Sequence, residues 1–353
     1  MNTNRWPFGV YYALLSGLLL GALLLSVRVG AVSLDFSDIG RYLAHALRHE
    51  TSGDIREQLF LQIRLPRVIL CTLVGAALSV SGALMQALFR NPIVEPGLVG
   101  TSSGAALGAA FVFVMGQTLQ HTWIGLAGPL LLPLFAFAGG LTATLIVYRL
   151  SGVFGKTNVN TLLLSGIAVN ALGASGTGFF SYVARDPQAR SIVFWNLGTV
   201  SGADWNSVAV VGVSTLGGLL LSLRLGKALN ALMLGETDAG YLGVRTARLK
   251  RQVILLNTLL VAVATAFVGV IGFVGLIVPH ILRLLKSADN RFLLPASALL
   301  GGLLLNMADV LARTIVAPSE FPIGIVTALA GAPVFLFLLV RNNRKLQKGG
   351  FYA

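Results

Sequence analysis

Charge is what this sequence has least of. Only 11% of its 353 residues are charged, against roughly a quarter in soluble globular chains. So few charges cannot cover a water-facing surface, and 55% of the residues are hydrophobic. Lipid removes the need for a charged cover, because it replaces water as the solvent for apolar side chains. Cysteine is also scarce: Cys71 stands alone in an apolar run, which excludes an intrachain disulfide and leaves a small core hydrophobe. A phosphate-binding loop is absent too. Gly155-Lys156-Thr157 comes nearest, but Leu150 stands where the first glycine of GxxxxGK[ST] belongs, and no buried strand precedes it. The triplet reads as a basic loop between two spans.

Catalytic sets are missing as well. No serine, histidine and carboxylate converge within an apolar run, so an intramembrane protease is disfavoured and no catalytic residue is assigned. His45 and His49 share a helix face at i,i+4, yet Ala46 stands where a zinc-binding HExxH needs glutamate; no metal site is assigned. The net charge of +13 does not indicate nucleic acid, because the basic residues form short clusters between apolar stretches, as membrane topology signals do.

What is present is a succession of apolar runs. They lie near 8–28, 66–89, 97–116, 123–148, 159–183, 206–225, 252–270, 271–285, 293–312 and 322–340. This predicts an all-α, polytopic membrane protein of about ten transmembrane helices, one membrane domain over 1–353. The first run is about twenty residues, longer than the 7–15 of a signal-peptide core, and reads as an uncleaved span. Gly269, Gly272 and Gly275 interrupt the seventh and eighth runs and read as a tight reversal. Charge sets the orientation. With both termini cytoplasmic, 17 of the 26 Lys and Arg residues fall inside, including every lysine, as the positive-inside tendency requires. A nine-span count would place Arg341 to Lys348 outside. The external stretch Asp35–Glu50 has helical apolar spacing and reads as a surface helix; segment 191–205 is apolar but too short to span and reads as a re-entrant or surface helix shielded by protein.

Rows of small residues (Gly100, Gly104 and Gly108; Gly75, Ser79 and Gly82) point to close helix packing. Polar residues within spans are costly and more informative: Gln86, Asn160, Asn170, Asn257, Asn306 and Asp309. Asp309 lies one turn from Arg313, and an i,i+4 ion pair accounts for it. Asn170 heads a low-bulk stretch with Gly173 and Thr177, which reads equally as a pathway lining or a packing face. Arg64, Arg67 and Arg313 sit outside, against the positive-inside bias. A cationic rim would attract an acidic partner or an anionic substrate; snorkelling to headgroups is the alternative.

These residues carry a family likeness. Arg64-Leu-Pro-Arg67, Gly75-Ala-Ala-Leu, Ser81-Gly-Ala-Leu-Met-Gln86, Arg90-Asn-Pro-Ile-Val-Glu-Pro-Gly97, Gly104-Ala-Ala-Leu-Gly108, Leu234-Gly-Glu236, Leu242-Gly-Val244, Gly272-Phe-Val-Gly-Leu-Ile-Val-Pro-His280 and Phe321-Pro-Ile-Gly324 through Gly331-Ala-Pro333 closely resemble the FecCD family. Its members are permease subunits of bacterial type II ABC importers for ferric siderophores, haem and vitamin B12. The likeness implies a homodimer with a central path, two cytoplasmic ATP-binding cassette ATPase subunits that use the ATP, and a periplasmic substrate-binding protein. It implies residence in the bacterial inner membrane and no permanently bound cofactor. By position, Arg64, Arg67 and Arg313 match arginines that dock the binding protein. The segment holding Gly235, Glu236, Asp238, Leu242 and Gly243 matches the one that presses on the ATPases. Asn91 and Ile93 match a cytoplasmic gate, with a second gate expected near Thr157 and Asn158. Arg190 to Thr199 looks most like haem-importing members, where Arg190 and Arg185 would meet the propionates. Ferric siderophore or vitamin B12 is the alternative cargo. An ion-coupled secondary transporter, the other class, would need an essential membrane carboxylate, for which Asp309 is the candidate.

Overall fold

A computed structural model describes residues 7–30, 34–48, 54–120, 128–153, 156–317 and 319–349. The beginning of the fourth apolar run (123–127), His49, His121 and Gly155 lie outside the described residues. The helices are α1 Phe8–Arg28, α2 Phe36–Leu47, α3 Ile55–Leu59, α4 Leu65–Phe89, α5 Thr101–Gln120, α6 Leu131–Leu150, α7 Val159–Val183, α8 Asp186–Asn196, α9 Trp205–Leu234, α10 Glu236–Tyr241, α11 Thr246–Val268, α12 Val274–Leu285, α13 Asn290–Thr314 and α14 Ile323–Gly349. Ten of them match the ten apolar runs. A two-residue antiparallel pair, Gly152–Val153 with Lys156–Thr157, closes the connection from α6 to α7.

Helix α4 is the hub. It packs on α13, α9, α11 and α12, and nearly all of its side chains are buried. Missing side chains make this possible. A Cβ on Gly75 would lie 2.2 Å from the Gly301 carbonyl oxygen, and one on Gly82 would lie 1.8 Å from that of Gly275. Gly104 and Gly108 seat α5 on α6 in the same way, against Gly139 and Phe135. Without a hydrophobic drive between helices in lipid, such backbone approach supplies the dispersion contacts that hold the bundle.

Prolines stand at the start of α4 and inside α12, α13 and α14, and in the first three the freed carbonyl is met from far along the chain. A π turn over Phe60–Arg64 leads from α3 into α4. In that register Pro66, which has no N–H, leaves the Leu61 carbonyl open; the Trp205 indole donates to it at 3.1 Å. Pro279 frees the Gly275 carbonyl in α12, and the Gln86 amide donates to the carbonyls of Gly275 (3.4 Å) and Leu276 (3.1 Å). Pro295 frees the Arg291 carbonyl in α13, which accepts from the Tyr12 hydroxyl at 3.4 Å.

The eighth crossing differs in shape from the reversal expected of it. α11 ends at Val268, residues 269–273 are non-helical, and α12 has twelve residues. Twelve helical residues rise about 18 Å, short of the roughly 30 Å of hydrocarbon. Residues 269–273 lead into α12 without helical hydrogen bonds, and the Val274 N–H closes on the Gly272 carbonyl at 2.9 Å. The chain turns back at Gly269 (φ 74°) and enters α12 through Phe273 (φ 68°). The expected surface helix is present as α2, but Ile39 and Tyr42 pack on Val27, Phe60 and Val68 of the protein itself. Segment 191–205 is divided among the end of α8, a loop over 197–204 and Trp205, the first residue of α9.

Gly82→Leu is expected to force α4 and α12 apart and destabilise the protein by about 3 kcal/mol or more. Gly21→Leu, on an open face of α1, is expected to leave thermal unfolding in detergent unchanged. At the start of α13, Asp289 binds Arg291 and Asn230; its carboxyl is lowered to about 2, first by the Arg291 hydrogen bond. Its contribution is therefore complete above pH 4, the unfolded range, and lost as pH falls through about 2. Asp289→Asn should flatten that acid limb of the melting temperature against pH.

Candidate functional site

Two breaks in the helices meet inside the bundle, the first through its inner part, 94–100, since 90–93 are exposed. The first runs from Arg90 (φ 51°) to Gly100 (φ 87°), the second from Gly269 to Phe273, so a left-handed residue bounds each break at both ends. Backbone without helical partners is tolerated at membrane depth only where protein satisfies it or a wet cavity borders it. Here polar side chains do the satisfying. The Asn170 amide approaches the carbonyls of Gly97 (3.5 Å) and Leu98 (3.3 Å), and its oxygen accepts from Ser103 at 2.6 Å. Asn257 donates to the Pro96 carbonyl (3.4 Å) and accepts from Ser81 (2.5 Å). The Glu95 carboxylate accepts from the Phe273 N–H at 3.3 Å and ties the breaks together.

Beside this junction opens a cleft of about 440 Å³, bordered by Glu95, Ser102, Ser103, Asn170, Thr177, Asn196 and Gly272. Asn170 is thus both a packing residue and a lining residue. Thr177 lines the cleft, while Gly173 is buried one turn below against Ser103. Sequence reasoning missed Glu95, Ser102, Ser103 and Asn196. Glu95 was in plain view within the Arg90–Gly97 motif, but a loop position gave no sign that the backbone turns inward. Arg185 and Arg190 do not reach the cleft; both are exposed on or beside α8.

At the end of the bundle where α4 begins, the arginines lie beneath the surface. Arg64 is 6% exposed and Arg67 8%. Arg67 grips Asp309 at 2.9 Å and Glu320 at 2.6 Å, and Arg313 holds Asp309 at 3.0 Å as the i,i+4 spacing anticipated. Arg64 donates to the Val27 carbonyl, and Arg313 to those of Ser26 and Val29. The three guanidiniums staple α1, α4 and α13 together. Asp309, fully buried between two arginines, is held as a structural counter-ion.

The opposite end carries the Gly235–Gly243 segment. Gly235 (φ 139°) and Gly243 (φ 82°) bracket α10. Val244 N–H bonds to the Ala239 carbonyl and Gly243 N–H to that of Gly240, a Schellman end that only a left-handed residue such as glycine closes easily. Ala239 anchors this short helix inside, leaving Tyr241 85% and Leu242 63% exposed. Glu236 pairs with Lys250 of α11 at 2.6 Å, and Asp238 lies on the same turn. Asn91 and Ile93 form the nearby tip after α4, where the Asn91 side chain accepts from the Ile93 N–H. Asn158 caps α7 by accepting from Asn160 and Thr161. Among the described residues no three histidines, cysteines or carboxylates cluster as a metal site would.

Residues 18–341 match the FecCD transport family. The chain belongs to that family. It is 42% identical, over 91% of its length and 92% of the relative's, to the hemin transport system permease protein HmuU of Yersinia pestis. It is 40% identical to the vitamin B12 import system permease protein BtuC of Salmonella typhi, covering 82% of this chain and 86% of that one. A solved inward-facing structure of a metal-chelate type ABC transporter superposes with a TM-score of 0.80 at 31% identity, covering 94% of this chain and 98% of that one. The FecCD chain is therefore a multi-pass ABC importer permease.

Asp309→Asn would leave two buried guanidiniums short of a charge. The expected loss is about 3–5 kcal/mol, read as a lower melting temperature, whereas Glu320→Gln at the exposed edge should cost under about 1 kcal/mol.

Proposed function

We propose that this FecCD chain is the membrane subunit of an importer that carries haem from periplasm to cytoplasm across a bacterial inner membrane. The observation that carries the reading is the 42% identity to a hemin permease across almost the whole chain, joined to a polar cleft between two helix breaks. In this reading the α4-start end faces the periplasm, both termini face the cytoplasm, and two copies enclose a path lined by α7. A periplasmic binding protein docks on the rim that Arg64, Arg67 and Arg313 organise. Because these side chains are buried, they act by holding the rim in shape. Arg185 and Arg190, exposed at the same end, attract the propionates.

The α10 tip, with Tyr241 and Leu242 outward and Glu236 and Asp238 on its first turn, presses on a cytoplasmic ATPase subunit; Asn91 and Ile93 close the path nearby, with the Thr157–Asn158 turn as a second gate. ATP is used by that partner, so this chain is a transporter subunit and not an enzyme. Relatives that carry vitamin B12 keep cobalamin, and with it ferric siderophores, as the second reading.

The test is uptake by the reconstituted permease, ATPase and binding protein. Haem-loaded binding protein should stimulate ATP hydrolysis and drive haem accumulation; stimulation by cobalamin or ferric siderophore alone would replace haem as cargo. Uptake by the permease alone under an ion gradient would overturn the ATP-driven reading. Tyr241→Asp with Leu242→Asp should cut co-purification of the ATPase by about tenfold, as loss of an apolar interface anchor does.

A further inference from the structure

Lys250 stands one turn into α11 with its side chain almost wholly buried, and its ammonium lies 2.6 Å from the Glu236 carboxylate of α10. A buried lysine retains its charge only where a counter-charge meets it, so this pair binds α10 firmly to α11. The connections at both ends of α10 pass through glycines with positive φ, Gly235 and Gly243. α10 is thus a short rigid body on two swivels.

α11 is mostly buried, 23 residues or about 35 Å long. It is fastened at three levels. Lys250 holds α10 at its start. Midway, Asn257 holds the Pro96 carbonyl of the first break and the Ser81 hydroxyl of α4. At its end the Val268 carbonyl accepts from the Thr199 N–H at 2.8 Å, just before the second break. One helix therefore connects the exposed α10 tip to both breaks that border the cleft.

We propose that the Lys250–Glu236 ion pair is the latch through which movement of α10 reaches the cleft, with α11 as the rod and Lys250 as a positioning residue. The proposal rests on α10 being the segment that faces the ATPase. α10 also packs on α9 through the buried Ala239, but with a glycine at each end it can pivot on that contact, so that without the ion pair a push on its tip is absorbed there. The ion pair passes the push to α11, and Asn257 passes it to the Pro96 wall.

The experiment uses the complete transporter in vesicles, with Thr177→Cys as a reporter in the cleft. The native Cys71 is fully buried, so a water-soluble maleimide reads position 177. In the parent complex, trapping with ATP and vanadate should change the labelling rate. With Lys250→Met the change should disappear, and haem uptake per ATP hydrolysed, measured without the reporter, should fall by about tenfold, within the range of a lost coupling free energy between two sites. Lys250→Arg should keep at least about half of the coupling. Should Lys250→Met not assemble, Glu236→Gln, at the more exposed end of the pair, gives the same reading.

Retention of both the labelling change and the uptake ratio in Lys250→Met overturns the latch. If the parent cleft responds to nucleotide but haem is not carried, the cargo assignment fails and the labelling result still decides the latch. If the parent cleft does not respond to nucleotide at all, the ATP-coupled reading and the latch fall together.

Discussion

A carbonyl without a donor is the constraint around which this bundle is arranged. In water an interrupted helix hydrates its open groups; in lipid each one costs several kcal/mol. The chain nonetheless places Pro66 at the start of α4 and Pro279 and Pro295 inside α12 and α13, and it leaves the α-helical path at 90–100, where 96–99 form a 3-10 turn, and at 269–273. Trp205, Gln86 and Tyr12 meet the proline gaps, and Asn170, Asn257 and Glu95 meet the breaks. The same side chains dictate which helices must be neighbours. Gln86 cannot serve Gly275 unless α4 touches α12, and the glycines at 82 and 275 permit that touch. Breaks, polar residues and glycine contacts form one interdependent set.

This explains how far the sequence could be read. Apolar runs are local properties, so the number and order of crossings could be counted directly, and the rows of glycine marked the close contacts. The i,i+4 pair of Asp309 with Arg313 was legible for the same reason. The partner that completes it, Arg67, lies 242 residues away, and no local pattern encodes such a distance. Gln86, Asn170 and Asn257 stood out as costly, but their purpose depends on carbonyls in other helices. The shape of the eighth crossing was hidden too, since a glycine-rich apolar stretch serves equally as a tight reversal or as a non-helical lead into a short helix. Glu95 was lost because a motif in a connecting loop carries no signal of depth.

The distribution of order along the bundle suits an alternating path. α4, α11 and α13 are buried through most of their lengths, whereas α7, beside the cleft, exposes Leu164, Leu172, Phe179 and Tyr182. A rigid frame thus carries one wall whose outer face is left for lipid or a second copy. The cleft lies where that wall meets the two breaks, the places in the membrane where backbone angles can change without unwinding a whole helix.

The arginine staple also sets a timetable for biogenesis. Arg67 leaves the ribosome 242 residues before the aspartate that will neutralise it. At about 5–20 residues per second, that interval is on the order of tens of seconds. Throughout it Arg67 has no Asp309 to meet, and a long basic side chain near a helix start can reach the headgroup level instead. Arrival of α13 draws it in, and with it the ends of α1 and α4. The ionic knot is therefore a late closure, made when most of the chain is already in place, and a truncated or stalled chain would expose the charge that marks it as unfinished.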